Sequence, residues 1–547
     1  MSPSTQAAFE DGDNSTEART HLHVFSIFVL VYTTAFLLEM VEHWTYPAAT
    51  TIFLVLSIPV LTKPDRFRFL LFLGASTFYL LWFRFPEVAN HVNLIIFTNV
   101  TLIVGISYSY TKYAQIESDD DFYELIMPIL GLMITCTFLV AGFHKFNYDF
   151  ISPQVSCIRI FAGTIWQTMM SDFLDLGIRT VAIIGLILAV AAGTLWLERK
   201  RLALPAIDWT AIATPIVATL VAGGALLLLV GTSSIASSMD AVVFVIAIVV
   251  LCWQIVEGLL LLIPRYQWVA LVLSLAVHVQ LAMIRLVDFQ AIALALLMTF
   301  IPPDVWRSWM RQAQIRIGRV SLHRARAYFL INMFGGLLML LHNHVADVIP
   351  RQYVVSGILF NLGVLIMLWP ILKDLLSKER TWRWEGVPVL RSLTFRPLYL
   401  LPVALLLFGL TSHFGLRTTG NFSMFSNLRT EGPTSNHILL PGNPLKFAGY
   451  QEDVVRVIEI DDEAARIGHQ YQNLKGNGLP MVEFRKLLLK WREAGRIVPI
   501  TFEHRGETIR SEDIATEPRW RVDGLDWEMR LLDFRIIQPN PPNQCRW

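Results

Sequence analysis

Lys145 ends a long apolar run of the sequence, and a lysine in that position could act as a general base. A base must be neutral to accept a proton, whereas a free lysine side chain has a pKa of about 10.4. Removal from water disfavours the ammonium form and lowers that pKa, so the end of an apolar helix can activate an amine. Asp149 follows four residues later and would face Lys145 if the helix continued. The alternative is a lysine that extends to water at a membrane boundary.

Other polar groups flank the apolar runs, and they could bind a substrate or move its proton. His91 follows Asn90 at the start of one run, where a histidine either caps a helix at the membrane boundary or has a functional role. Met424, Arg429 and His437 fall in a polar segment after the last run. That segment is either a binding element or an ordered external loop without a ligand.

The composition is that of a polytopic membrane protein. Of the 547 residues, 54% are hydrophobic and 16% are charged, whereas soluble domains are about 25% charged. The formal net charge of +1 gives no support to nucleic acid as a partner. The four cysteines show no CxxC spacing, so no zinc site or redox motif is predicted and no metal is expected. Cys157 and Cys545 could pair if both face an oxidising compartment.

Apolar runs recur along most of the chain and predict an all-α polytopic membrane protein. Several runs are shorter than the roughly 20 residues of an ordinary crossing, so their ends extend into interfacial residues, or they are tilted or re-entrant. The runs lie at about 23–41, 48–61, 69–83, 92–110, 125–143, 181–197, 211–230, 241–263, 268–300, 328–341, 354–372 and 398–410.

The distribution of Lys and Arg predicts the orientation of the chain. All the basic loops can be cytoplasmic only if the run at about 268–300 forms two crossings with a turn at 285–288. That arrangement gives about 13 transmembrane helices, a cytoplasmic N-terminus and an external C-terminus. A single kinked helix would give about 12 transmembrane helices and would put the most basic loop outside the cytoplasm. We therefore prefer 13 transmembrane helices. The basic loops lie at about 63–68, 199–201, 307–326 and 373–396.

These patterns divide the chain into five segments. In the last of them, alternating apolar residues predict a strand at 454–460 and helical spacing predicts a helix at 481–494. The predicted fold therefore adds a small C-terminal α/β domain, outside the membrane, to the helical region. The segments are a disordered cytoplasmic tail (1–22), a transmembrane region with the candidate active site (23–200), further transmembrane helices (201–412), an external loop or linker (413–450) and a soluble α/β domain (451–547).

The segment from Ala141 to Phe150, AGFHKFNYDF, resembles a motif of a known family. The motif is the AG-x-x-K-(L/F)-(N/D)-x-D-(W/F) segment of the vitamin K-dependent γ-carboxylases and their bacterial relatives, the horizontally transferred transmembrane (HTTM) family. In the characterised carboxylases its lysine is the catalytic base, and that lysine falls on Lys145. Asp149 matches the aspartate, while Phe150 stands where the family usually has tryptophan.

Two further segments match the family in the same order. Asn90 and His91 match an N-H-x-x-L stretch whose histidine is functionally required. The polar segment after the last run matches a Met-rich turn that leads to an arginine and a histidine. The resemblance covers about residues 20–200 and 395–440, and the region between matches only as apolar spans. It implies Lys145 and His91 as catalytic residues and Asn90, Asp149, Met424, Arg429 and His437 as substrate-binding residues.

The resemblance also implies a reaction. A reduced vitamin K or other quinol is the co-substrate, and the lysine deprotonates it. Oxygen then adds, and a strongly basic intermediate removes a γ-proton from a glutamate, whose carbanion captures carbon dioxide. The lipophilic quinone would arrive laterally from the bilayer, and a peptide or protein substrate would arrive from the external side. The expected location is a bacterial inner membrane.

A second hypothesis belongs to another class. The chain could be a non-catalytic membrane protein that binds a lipid or quinone and presents residues 411–547 as an external interaction domain. The C-terminal domain carries no recognisable peptide-binding signature, and a shared fold alone does not give a shared function. In an enzyme, His91 and Lys145 should converge on one site. In a scaffold, the two side chains could lie far apart.

Overall fold

The structure is a computed structural model, and it describes part of the 547-residue chain. The predicted tail at 1–22 and the apolar runs predicted at 181–197 and 211–230 lie outside the described residues. The description covers residues 23–42, 47–86, 88–111, 116–160, 238–282, 286–317, 320–344, 352–376, 384–389, 396–431, 434–461, 474–522, 526–538 and the single residues 524, 542 and 545.

Long helices dominate the described part of the chain. α5 begins with a capping box, in which the Ser118 hydroxyl accepts from the Asp121 N–H and the Asp121 carboxylate accepts from the Ser118 N–H. Aspartates in its first turn also favour the positive end of the helix dipole. The first helices are α1 (Val24–Glu42), α2 (Pro47–Thr62), α3 (Arg66–Tyr79, continued by a π-helical turn Leu80–Arg84), α4 (Asn90–Ser109), α5 (Asp119–His144) and the short α6 (Tyr148–Ile151).

The second half of the helical region contains the apolar run at about 268–300, on which the predicted orientation of the chain depends. The run at about 268–300 is not one helix, because α8 ends at Ala282 and α9 begins at Val287. A two-stranded antiparallel hairpin follows the next helix. The elements are α7 (Ser238–Leu262), α8 (Gln267–Ala282), α9 (Val287–Leu297), α10 (Pro303–Arg311), β1 (Gln314–Ile317), β2 (Val320–His323), α11 (Arg324–His344), α12 (Gln352–Leu376) and α13 (Leu400–Gly409).

Among the described residues, five helices are long and apolar enough to cross a membrane. A sixth is added if the pair Val287–Phe300 and Pro303–Arg311, bent by 109°, forms one span. The prediction of a helical membrane protein is confirmed at this level, and the number of 12 or 13 spans stays a prediction. The five are Val24–Glu42, Arg66–Arg84, Asn90–Ser109, Asp119–His144 and Val243–Leu262.

The chain forms two compact units, and α1 is the central helix of the first. Every residue of α1 from Phe25 to Val41 is buried, as expected for a helix that is apolar on all sides. Within this unit α9 and α11 pack against α1, and α12 packs against α11. The first unit comprises Met1–Phe78, Ile95–Ile134 and Leu260–Pro402, and the second comprises Tyr79–Leu94, Thr135–Leu259 and Val403–Trp547.

The second unit contains all seven predicted site residues and the small C-terminal domain. The predicted strand and helix of this domain are present as β3 and α14. Its four strands form an antiparallel sheet in the order β4-β3-β5-β6, and Phe484 and Trp491 of α14 lie in the core beside that sheet. The elements are β3 (Val454–Ile460), β4 (Gly478–Pro480), α14 (Met481–Glu493), β5 (Ile500–His504), β6 (Glu507–Ser511) and α15 (Trp527–Leu531).

Glycines allow the end of α5 to pack closely on its neighbours in the second unit. A Cβ added at Gly142 would lie 2.8 Å from Ile255 of α7, and one at Gly258 of α7 would lie 2.7 Å from Leu139. Small residues of this kind let membrane helices approach closely. The last turns of α5 are therefore fixed against α7, and this packing sets the position of Lys145.

Candidate functional site

The chain turns sharply just after α5, and the turn determines where Lys145 and Asp149 lie. α5 ends at His144, and the Asn147 side chain then caps the short α6 by accepting from the Phe150 N–H at 2.9 Å. The helix does not continue, so the condition under which Asp149 would face Lys145 across one helical turn is not met. Asp149 instead accepts a hydrogen bond from the Asn436 side chain at 2.8 Å.

Lys145 is buried, and the hydrogen bonds of its amine within the described part of the chain go to carbonyl oxygens. The residue is 5% exposed, and its Nζ lies 3.4 Å from the Ala141 carbonyl and 3.5 Å from the Met424 carbonyl. Within the described residues no carboxylate pairs with it, and the Phe150 ring lies 5.9 Å away. Burial lowers the pKa of Lys145 to about 7. A neutral amine is thus available near neutral pH, as a general base requires.

The segment 417–437 forms the other wall of this site. Three of its residues other than glycine have positive φ, namely Phe422 (65°), Phe425 (54°) and Asn427 (54°), which indicates a tightly determined backbone. The sequence predicts an external loop or linker here, and the described residues of the segment, 417–431 and 434–437, lie outside the helices and strands. Its side chains, however, are mostly buried, so it is a packed structural element rather than a free tether.

Asn436 connects several of the predicted substrate-binding residues. Its Nδ2 donates to the Asp149 carboxylate and to the Asn427 carbonyl, both at 2.8 Å. Its Oδ1 accepts from the Arg429 N–H at 2.7 Å. The structure therefore brings Asp149 and Arg429 together through one amide side chain, which the sequence argument did not single out.

His437 and Met424 also lie at the site, where each makes contacts with the protein. The His437 Nε2 is 2.9 Å from the Phe143 carbonyl, and its Nδ1 accepts from the Leu439 N–H at 3.2 Å. Both ring nitrogens are thus engaged by the protein, as a neutral imidazole allows, and burial lowers the pKa of His437. Met424 contributes its backbone carbonyl to Lys145.

Asn90 and His91 begin α4 and are both buried. Neither amide atom of Asn90 has a hydrogen-bond partner in the described part of the chain. One turn on, the Asn93 side chain donates to the Gly420 carbonyl at 2.7 Å, so the start of α4 contacts the same segment that carries Met424. The hydrogen bonds of Lys145 go to carbonyls, and no hydrogen bond or ion pair joins it directly to His91 within the described residues.

Arg417 links three parts of this unit and was missed from the sequence. Its guanidinium donates to the Pro86 carbonyl at 2.7 Å, just before α4, and to the Leu531 carbonyl at 3.0 Å. It also pairs with Asp533 at 3.4 Å, with both side chains only 3% exposed. Because an arginine fork can satisfy several acceptors at once, Arg417 holds the start of α4, the site segment and the C-terminal domain together.

Two more histidines lie beside the end of α5 and were also missed. The rings of His413 and His144 are 5.5 Å apart, and those of His413 and His437 are 5.2 Å apart. All three are at most 1% exposed. Burial lowers the pKa of His413 to about 3, so its ring is neutral. In the sequence, His144 and His413 each follow the end of an apolar run, and this was the feature that could have indicated them. Their spacing along the chain could not show that the two rings lie close together.

The cysteine pair that the sequence left open is bonded. Cys157 and Cys545 form a disulfide, and the Cys157 N–H donates to the Asn427 side chain at 2.7 Å. The same asparagine donates to the Val155 carbonyl at 2.8 Å. The end of the chain is therefore covalently attached close to the segment that carries Met424.

Comparisons with known proteins do not add to this description. The chain matches no family model, no curated protein and no solved structure. A functional conclusion has to be drawn from the motifs and from the geometry of the site.

Proposed function

We propose that the chain is an integral-membrane enzyme of the γ-carboxylase and HTTM type that uses a reduced quinone, with Lys145 as the base. The observation that carries this proposal is the environment of Lys145, a buried amine that directly follows an apolar helix and has no carboxylate partner among the described residues. A lysine kept only for its charge would be expected to have a counter-ion. Buried ionisable groups with strongly shifted pKa values cluster at functional sites.

The residues around Lys145 suit proton abstraction from a hydroxyl group. The neutral Nζ can accept the proton, and the Ala141 and Met424 carbonyls are placed to accept from the ammonium that results. The Phe150 ring adds a weak cation–π attraction for that ammonium. A reduced quinone would supply a phenol-like hydroxyl, with an ordinary pKa of about 10. Transfer to an amine of pKa about 7 would be uphill by roughly 4 kcal/mol, which is a small part of an enzymatic barrier.

The finer description of the protein belongs to the same proposal. It has 12 or 13 transmembrane helices in a bacterial inner membrane, with the N-terminus in the cytoplasm and the C-terminal domain outside. The disulfide between Cys157 and Cys545 supports an oxidising compartment for that side. The quinone enters from the lipid bilayer, and a glutamate of a peptide or protein substrate enters from outside. Coupling of quinone oxygenation to carboxylation would then occur at the external face of the inner membrane.

Purified protein in lipid nanodiscs, supplied with vitamin K hydroquinone and oxygen, tests the proposal. We expect the quinone epoxide to form and Lys145→Met to abolish it. Lys446→Met is the matched control, because Lys446 is another largely buried lysine of this unit but is paired with Glu452 at 3.6 Å. Epoxide formation by Lys145→Met at the unmutated rate would exclude Lys145 as the base.

One observation favours the non-catalytic alternative. His91 and Lys145 are not joined by a direct hydrogen bond, so the described geometry does not require that they act together. A protein that only binds a lipid or quinone would take up vitamin K hydroquinone without converting it. Saturable binding with no epoxide in the unmutated protein would favour that alternative over the enzyme.

A further inference from the structure

The exposed side of the loop 438–448 is free of charged and polar side chains. Leu439 is 61% exposed, Leu445 is 45% exposed and Phe447 is 75% exposed. A loop that faces water normally places polar residues outward, so this pattern is inverted. The exposed residues of the loop are Leu439, Pro441, Gly442, Pro444, Leu445 and Phe447.

The polar side chains of the same loop point inward. Asn443 is 7% exposed, and its Nδ2 donates to the Thr430 carbonyl at 3.1 Å. The Lys446 side chain is 8% exposed, and its Nζ donates to the same carbonyl at 3.3 Å and pairs with Glu452. The Lys446 ammonium is therefore directed into the protein. If the loop faced water, an ammonium that pointed outward would stay hydrated and would lose no solvation free energy.

Both ends of the loop are attached where apolar helices end. At one end, the Ile438 N–H donates to the carbonyl of Phe146, two residues after the end of α5. At the other end, the Ala448 N–H donates to the Phe414 carbonyl at 3.1 Å, and the Phe414 and Phe447 rings are 5.6 Å apart. Phe414 follows the helical turn Leu410–Ser412 that ends α13. The loop thus lies at the level at which two apolar helices stop.

We propose that the loop 438–448 lies in the interfacial layer of the lipid bilayer, with Leu439, Leu445 and Phe447 in contact with acyl chains. Continuity with the ends of α5 and α13 identifies lipid as the occupant, because a membrane that surrounds those helices reaches the same level. Tyr148, 57% exposed and hydrogen-bonded through its N–H to the Asn436 carbonyl, is an aromatic residue of the type that favours this layer. The proposal goes beyond the proposed function and does not depend on what Lys145 does.

Site-directed labels in lipid nanodiscs test the location of the loop. Single cysteines at Phe447→Cys and Leu439→Cys carry a nitroxide, in a background where Cys136 and Cys252 are replaced by alanine and the Cys157–Cys545 disulfide is kept. Ile497→Cys is the matched control, since Ile497 is 69% exposed in the C-terminal domain. Collision rates are measured with oxygen, which partitions into lipid, and with a water-soluble nickel chelate.

We expect the oxygen-to-nickel collision ratio at positions 439 and 447 to be several-fold higher than at position 497. Ratios at 439 and 447 equal to that at 497 would show that the loop faces water and would overturn the proposal. Protection of both labels from both reagents would also overturn it, because a protein surface, such as a second copy of the chain, would then cover the loop. Both substituted side chains are exposed, so the protein should fold with either label.

Discussion

Two buried lysines in one unit have opposite surroundings, and the contrast bears on the role of each. The Nζ of Lys486, in the C-terminal domain, lies 2.7 Å from Glu483, 3.7 Å from Asp533 and 2.6 Å from the Leu532 carbonyl. Among the described residues, the hydrogen bonds of the Lys145 Nζ go to two carbonyls, at 3.4 and 3.5 Å. Lys486 thus has the carboxylate partners expected of a permanent cation. The surroundings of Lys145 are those expected of a neutral amine.

The free energy of desolvation differs in its consequence for these two lysines. A buried ammonium with good counter-ions roughly recovers the cost of leaving water, whereas one without them does not. Lys486 therefore costs the protein little, and Lys145 lowers stability whenever it is protonated. A buried residue that lowers stability when it is protonated is a candidate for catalysis.

The largest expected effect is that of Lys486→Met. The substitution leaves Glu483 buried without its cation, while Asp533 keeps its pair with Arg417, and it should lower the free energy of unfolding by about 3–5 kcal/mol. Thermal unfolding in detergent, followed by circular dichroism, measures the loss. Lys475→Met is the control, because Lys475 is exposed and should change stability by less than about 0.5 kcal/mol. Equal stability of the two variants would remove the distinction between a paired and an unpaired buried lysine.

Lys145→Met should change stability in the opposite direction. Below pH 7 the lysine is protonated in the folded and unfolded states, so its burial cost is fully present and the variant should be more stable, by on the order of 3–5 kcal/mol. Between the folded pKa of about 7 and the ordinary value of 10.5, the unfolded state binds more protons. The stability of the unmutated protein therefore rises with pH there, and the advantage of the variant should shrink. A constant difference from pH 6 to pH 10 would contradict the lowered pKa.

The smallest expected effect is that of Asp149→Asn on the pH dependence of activity. Asp149 bonds to Asn436 and lies on a separate helix from Lys145, so its charge should hardly affect the base. The pH–rate profile should rise through pH 7 as in the unmutated protein. A clear shift of the midpoint to lower pH would show that the carboxylate does interact with the ammonium.

The sequence was sufficient for features that depend on local patterns. Apolar runs predicted long helices, alternation predicted β3, and helical spacing predicted α14. For the run at about 268–300, the charges at 285–288 and the orientation rule predict a turn between two crossings; the structure has one helix to Ala282 and another from Val287, and the two crossings stay a prediction. Each of these follows from side-chain periodicity or charge within a short stretch.

Features that depend on distant contacts could not be predicted in the same way. Asn147 begins a new helix after α5, and helical spacing alone gave no sign that Lys145 and Asp149 would separate. The hydrogen bond between Arg417 and Pro86 joins positions 331 residues apart, and no local pattern in the sequence indicates it. The prolines and glycine of the loop 438–448 are typical of turns and predict an external linker, whereas its inverted exposure appears only in three dimensions.

Titration of Lys145 is the most direct test of the central claim that its neutral amine serves as a base. Formaldehyde, the reagent of reductive methylation, is small enough to reach a nearly buried amine. Mass spectrometry of the peptide that contains Lys145 follows the rate of its methylation from pH 5 to pH 11. Lys475 serves as the exposed reference in the same samples. We predict a midpoint at pH about 7 for Lys145, well below that of the reference. A midpoint that coincides with that of Lys475 would show that Lys145 is an ordinary ammonium and would contradict the account.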